Sequence, residues 1–136
     1  MRDLVYFLHL ILGFALVALP ALIVLNLNKK TDWLKPSAVL AAAISWVLIV
    51  PAGILYTVFY PATKTLVKAG AWPWAHSIIM ETKEHWGILL PVAATIAALL
   101  TVADKNEQSK KWWILAIALS VLLAVFGRII KMGAFQ

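Results

Sequence analysis

Hydrophobic residues in this chain come in four long runs that short polar segments separate. The runs cover residues 4–25, 37–60, 74–102 and 112–130. An α-helix needs about 20 mostly apolar residues to cross a bilayer, and each run approaches or exceeds that length. The pattern therefore predicts four membrane-spanning helices in one domain, residues 1–136, with the first run retained as a helix rather than cleaved as a signal peptide.

Short connections between long helices favour antiparallel neighbours, so we predict an all-α, up-down four-helix bundle. Both termini and the 61–73 segment then lie on one side, here called end A, and the other two connections lie at end B. Tryptophans at the run boundaries resemble the aromatic belts of membrane proteins. The end B lysines are Lys29, Lys30, Lys35, Lys105, Lys110 and Lys111. Their tight clusters predict that end B is cytoplasmic and that the termini are outside.

Composition supports a membrane protein and narrows its chemistry. Hydrophobic residues make up 63% of the chain and charged residues 13%, against about 45–50% and about 25% in soluble domains. We predict an integral protein of a prokaryotic plasma membrane. The net charge of +6 is interpreted as membrane-flanking Lys and Arg, so no nucleic acid partner is expected. The chain has no cysteine, which excludes disulfides and thiolate-bound clusters.

The third run carries an unusual group of ionisable residues: Glu81, Lys83, Glu84 and His85. Charged groups inside a span are costly and are usually functional. With a rise of about 1.5 Å per residue, His85 lies about 5 Å and His9 of the first run about 9 Å from the middle of their helices, both towards end A. Two histidines at similar depth on diagonal helices can ligate one haem iron. We therefore predict that His9 and His85 hold one b-type haem.

Other residues near end A suit this haem hypothesis. Gly13 lies one turn from His9, where a missing side chain leaves room for a flat ring. Arg128 could pair with a haem propionate, and Tyr56 and Tyr60 could donate hydrogen bonds to one.

Helical phase offers His76 as an alternative ligand. The small residues of the third run share an arc with His76, Met80 and Lys83, and His85 lies about 180° from His76. The two histidines therefore cannot both face one site. We favour His85 because it lies deep in the span, whereas His76 lies at the helix start, where water is available.

The same cluster also allows chemistry without a cofactor. Lys83 can form an ion pair with Glu81 or Glu84, and Glu81 can orient His85 one turn away, as carboxylates do for metal-bound histidines. A carboxylate and a histidine also suit a proton relay or a quinone pocket. Two alternatives therefore stay open: a cofactor-free transporter of protons, ions or small solutes, and a structural subunit of a larger complex.

The chain resembles small four-helix membrane cytochromes of the b type, and more loosely membrane proteins of the copper-resistance D kind. The matching residues are His9 in FLHLILG, His85 in ETKEHWG and Arg128 in GRIIK. The resemblance implies a membrane electron-transfer subunit that exchanges electrons with quinone or a partner complex. Expected partners are the lipid bilayer and either other membrane subunits or further copies of the chain. Motifs of hydrolases are absent from the sequence, so a redox carrier is favoured over a stand-alone enzyme.

Overall fold

The computed structural model describes residues 1–29 and 31–134, where the regular structure is helical and contains no strands. Four helices are long and apolar enough to cross a membrane: α1, Arg2–Asn26; α2, Leu34–Ala69; α3, Ala75–Val102; and α4, Asn106–Gly133. This fits an integral membrane protein, as the four apolar runs predict. Lys30, one of the end B lysines, lies outside the described residues.

Two helices are longer than the apolar runs that predict them. α2 continues to Ala69 rather than ending at residue 60. Pro61 does not stop it, because Pro61 opens the first turn of the segment Tyr60–Ala69, where its missing N–H is not needed. α4 begins at Asn106 rather than at residue 112, since the polar residues there are mostly good helix formers. The loops are therefore shorter than the sequence predicts.

Hydrogen bonding is irregular in α2 and α3. The α-helical pattern is interrupted at Leu48 and at Ile88, shortly before Pro51 and Pro91. Proline lacks an N–H and its ring crowds the preceding turn, which explains both interruptions. Pro20, in contrast, lies within an unbroken α1. α2 and α3 also contain π-helical turns, Leu55–Phe59 and Ala75–Met80, in which each N–H bonds to the carbonyl five residues back.

The core lies at the centre of the four helices, with α1 diagonal to α3 and α2 diagonal to α4. α1 and α3 each pack against both α2 and α4, so α1 and α3 face each other across the core. Small residues predominate on the inner faces of α2 and α3, as the helical phase predicts, and they allow close approach of the backbones. The buried small residues are Ala38, Ala41, Ser45, Ala93, Ala94, Ala97 and Ala98.

Contacts at end A bring three helix ends together. Lys131 Nζ at the end of α4 lies 5.6 Å from the centre of the Tyr6 ring near the start of α1. Gly133 lies so close to the start of α3 that an added Cβ would be 3.2 Å from the Cβ of Ala75. The start of α3, which carries the ionisable residues, is therefore held against the end of α4.

Contacts at end B join the opposite helix ends. The side chain of Asn106, at the start of α4, donates a 2.7 Å hydrogen bond to the carbonyl of Leu27, just after α1. Lys35 near the start of α2 forms a 2.7 Å ion pair with Asp104, in the turn between α3 and α4. Both pairs are solvent-accessible in part, so they align the ends more than they stabilise them.

Candidate functional site

Three polar side chains meet near end A, between α2 and α3. The Tyr60 hydroxyl lies 3.0 Å from Nδ1 of His76, and Nε2 of His76 lies 3.8 Å from Oε1 of Glu81. Tyr60 and His76 are buried, with 8% and 4% of their surfaces exposed, whereas the Glu81 side chain is 48% exposed. One ring nitrogen of a buried histidine is thus hydrogen-bonded to a hydroxyl, and the other faces a carboxylate that lies beyond hydrogen-bond distance.

The cluster continues along α2 towards the middle of the bundle. The ring of Tyr56 stacks on that of Tyr60, with their centres 5.7 Å apart, and the carboxylate of Glu84 lies beside the Tyr56 hydroxyl. Glu84 is about 12 Å further along α3 than His76, at a rise of about 1.5 Å per residue. Titratable groups therefore extend from the start of α3 to roughly the middle of the helix. We call Glu84, Tyr56, Tyr60, His76 and Glu81 the polar chain.

The π-helical turns lie where the polar chain is built. Tyr56 belongs to the turn Leu55–Phe59 and Tyr60 follows it directly. His76 belongs to the turn Ala75–Met80, which Glu81 follows. A π-helical turn accommodates an extra residue and so rotates the side chains on either side of it, and such turns are frequent at functional sites. Local backbone irregularity therefore sets how these side chains face one another.

Charges of both signs surround His76. Lys64 and Lys68 of α2 and Glu81 and Glu84 of α3 lie close enough for their charges to act on the imidazole. The charges of two cations and two carboxylates therefore act on the imidazole in opposite senses.

Lys83 is not part of the polar chain. Its side chain extends from α3 towards α4. A Cβ added to Gly127 of α4 would lie 3.3 Å from Lys83 Nζ. The contacts of Ser120 with Leu16 and of Lys131 with Tyr6 place His9 of α1 opposite this part of α4. Among the described residues, Lys83 forms no ion pair. The predicted pairing of Lys83 with Glu81 or Glu84 is therefore replaced by a position between α1 and α4.

In the structure, His76 faces the inside of the bundle and His85 faces outward. The depth of each residue in the span had led us to expect His85 on the inside. His85 is exposed, and its Nδ1 donates a 2.7 Å hydrogen bond to the backbone carbonyl of Glu81. The Glu81 carboxylate lies beside His76 instead, so the predicted carboxylate–His85 pair is not formed. Helical phase explains the result, because Lys83, Met80 and His76 share the face that carries the buried alanines of α3.

This arrangement does not fit a haem ligated across the bundle by His9 and His85, because the side chain of His85 lies on the outer face of α3. His76, the alternative ligand, has its two ring nitrogens beside Tyr60 and Glu81. Gly13 does leave open space on α1, but Arg128 is exposed. Within the described ranges, no group of three or more His, Cys, Asp or Glu residues is placed to hold a metal ion.

Neither the pairing of Tyr60 with His76 nor the approach of Lys83 to α4 is predicted from the sequence, which places His76 at the helix start near water. The available signal was the phase of α3, which already grouped His76 with the small residues. Contacts between helices carry no comparable signal in a single sequence.

Comparison with protein-family models, curated proteins and solved structures finds no match for this chain. The resemblance to small b-type cytochromes therefore stays a prediction from three residues.

Proposed function

We propose that the protein is an integral membrane transporter of protons, or of a solute coupled to protons, and that the polar chain is its proton path. Its four helices would cross the bilayer as an up-down bundle with both termini at end A. The length and apolarity of α1 to α4 support the insertion, and the contacts of Lys131 with Tyr6 and of Asn106 with Leu27 support the antiparallel order.

The buried Tyr60–His76 pair is the observation that carries this proposal. A neutral imidazole accepts a proton at one nitrogen and donates one from the other, and a tyrosine hydroxyl does both. Tyr60 donates to Nδ1 when that nitrogen is unprotonated and accepts from it when it is protonated. Tyr60 and His76 can therefore exchange a proton in either direction, and Glu81 would take part when its side chain moves from 3.8 Å to within hydrogen-bond distance of Nε2.

Glu84 would be the inner proton-binding residue of the path. It is half-buried and lies beside the Tyr56 hydroxyl. The Tyr56 ring stacks on Tyr60, which is hydrogen-bonded to His76. Beyond it, towards end B, the buried side chains of α3 are apolar from Leu90 to Ala98, and they offer a proton no partner. The polar chain therefore suits access from end A to the middle of the membrane, where a transported proton would be held before release.

The breaks ahead of Pro51 and Pro91 would allow the release step. They interrupt α2 and α3, the two helices that carry the polar chain, on the end B side of Tyr56 and Glu84. A missing helical hydrogen bond lowers the cost of bending at that point. Bending there would move Glu84 relative to the alanine-lined core while both helix ends stay packed.

Replacing Glu84 by glutamine tests the proposal. Glutamine keeps the shape of the side chain but does not titrate, so proton flux should fall at least about tenfold, since positioned acid–base groups typically contribute about 10²–10⁴-fold. Flux would be followed with an internal pH dye in proteoliposomes under a potassium diffusion potential. Glu107→Gln, at the exposed start of α4, is the matched control and should leave the flux unchanged. Equal flux in wild type and Glu84→Gln would reject the proposal.

An accessory subunit of a larger complex is the second candidate, and His85 favours it. An exposed imidazole in the middle of a span is costly in lipid, and a partner helix would cover it. Such a subunit would show no flux of its own and would be recovered with its partner after mild detergent extraction. A reduced-minus-oxidised absorption spectrum of the purified protein would test the haem hypothesis in the same preparation.

A further inference from the structure

The outer face of α3 carries a row of exposed residues that begins with Glu81 and His85. Its apolar members, between 43% and 65% exposed, are Ile88, Val92, Leu99 and Val102. Thr95, which is half-buried, fills the position between Val92 and Leu99. Successive members are thus three or four residues apart in alternation, which is the spacing through which two parallel helices pack along a seam. We call these seven residues the outer seam.

Lipid suits the apolar part of the outer seam but not its two polar residues. His85 lies about 15 Å along α3 from Ala75, at about 1.5 Å per residue, which is too deep for an imidazole to reach the headgroups. Glu81 lies one turn nearer to end A, and its side chain is 48% exposed. Polar side chains within a span are costly in lipid and bind across to neighbouring helices. The outer seam therefore has the features of a contact with another helix.

The hydrogen bonding of His85 determines which group it can bind there. Its Nδ1 donates to the backbone carbonyl of Glu81 at 2.7 Å, so Nδ1 carries a proton. Nε2 accepts a hydrogen bond when the imidazole is neutral and donates one when the imidazole is charged. A carboxyl group matches both states, because it donates when protonated and accepts when ionised.

We propose that a second copy of the chain packs against the outer seam, and that His85 of each copy binds the Glu81 carboxyl group of the other. In a parallel pair with a two-fold axis along the membrane normal, the two seams lie at the same depth and the contact is self-complementary. A side chain in such a seam fits among four residues of the facing helix, which include the seam residue one turn before it. His85 would therefore meet Glu81 of the second copy, and this contact would form twice.

The second copy would thus add a residue to the polar chain. Oε1 of Glu81 lies 3.8 Å from Nε2 of His76 in its own chain, and a carboxylate accepts hydrogen bonds at both oxygens. Glu81 could then lie between His76 of its own chain and His85 of the second copy. The pairing does not depend on proton transport, so either proposal can fail without the other.

Disulfide cross-linking in native membranes tests the contact, because the chain has no cysteine of its own. Val92→Cys in the outer seam should give a covalent dimer on mild oxidation, since equivalent positions of a two-fold seam lie close enough for a disulfide. Val121→Cys on α4, which is 46% exposed, is the matched control and should stay monomeric.

Energy transfer between copies labelled at Lys105→Cys in liposomes measures the pairing itself. His85→Ala removes both contacts with Glu81, so its dimer should dissociate on dilution with lipid about tenfold more readily than wild type, as expected for the loss of two hydrogen bonds in a membrane. Glu81→Ala should have the same effect. A mixture of the two variants restores one contact and should pair more tightly than either variant alone. Thermal unfolding in detergent would verify that each variant is folded.

Four outcomes would overturn the proposal. An absence of energy transfer between wild-type copies would show that the chain does not pair. Equal dissociation of folded His85→Ala and wild type would show that His85 takes no part. A mixture that pairs no better than its components would show that His85 and Glu81 do not meet. Attachment of a different polypeptide to Val92→Cys, in place of a second copy, would assign the outer seam to a larger complex.

Discussion

His76 and His85 lie on one helix but have opposite surroundings. His76 is buried between the Tyr60 hydroxyl and the Glu81 carboxylate, whereas His85 donates to its own backbone on an exposed face. A histidine with two titratable neighbours can pass a proton on, while one bonded to a carbonyl is held in a single tautomer. At the scale of the residue, the proposed proton path therefore includes His76 and not His85.

Tyr60→Phe should separate the role of the hydroxyl from that of the ring. The phenyl ring keeps the stacking on Tyr56, but Nδ1 of His76 loses its partner, so we expect proton flux to fall about tenfold or more and stability to fall by about 1 kcal/mol. Flux would be measured in proteoliposomes and stability by unfolding in detergent. Tyr6→Phe, on the Lys131 side of α1, is the control. Loss of stability with unchanged flux would show that the hydroxyl is only structural.

At the scale of the element, α3 combines two different halves. Its end A half is irregular and ionisable, with the π-helical turn Ala75–Met80 and the break at Ile88. Its end B half is regular and closes onto α4 through buried side chains. Thr101 Oγ1 accepts a 3.0 Å hydrogen bond from Trp113 Nε1 and lies 2.6 Å from Ser109 Oγ. The end A half therefore carries the ionisable side chains, and the end B half anchors the helix to α4.

Thr101→Val should destabilise this anchor. Valine matches threonine in shape but leaves the buried indole N–H of Trp113 without an acceptor, which costs about 1–3 kcal/mol. Reversible unfolding in mixed detergent would measure the loss. Thr65→Val, at an exposed position of α2 where the hydroxyl bonds only to its own helix, should change stability by less than about 0.5 kcal/mol. A similar effect of both changes would contradict the anchoring role.

At the scale of the whole molecule, the two ends of the bundle differ in the residues they carry. End A collects the polar chain and three converging helix ends, while end B has short turns joined by Asn106, Leu27, Lys35 and Asp104. In an up-down bundle the polar chain then opens to a single face of the membrane. The lysine clusters at end B predict that this face is the outer one.

Single cysteines can test the topology, because the chain contains none of its own. Arg2→Cys and Lys68→Cys at end A should react with a membrane-impermeant maleimide from outside intact cells. Lys105→Cys at end B should react only after the membrane is permeabilised. Labelling of all three from one side would exclude the up-down bundle, and the reverse pattern would keep the bundle but invert its orientation.

The sequence by itself determined that the chain forms four apolar helices and that the small residues of α3 share one face. Runs of bilayer length and a repeat of about 3.6 residues carry that information locally. It also determined that the ionisable residues cluster at the end A half of α3. Its helical phase even placed Lys83 and His76 on the inner face, although depth led us to favour His85.

Only the tertiary structure decided which polar groups meet. Tyr60 and His76 come from different helices, and their contact depends on two π-helical turns that shift the side chains around each helix axis. Lys83 Nζ lies against Gly127 on another helix, where an added Cβ would be 3.3 Å away. Such pairings arise from the packing of whole helices, so no local pattern of residues could have specified them.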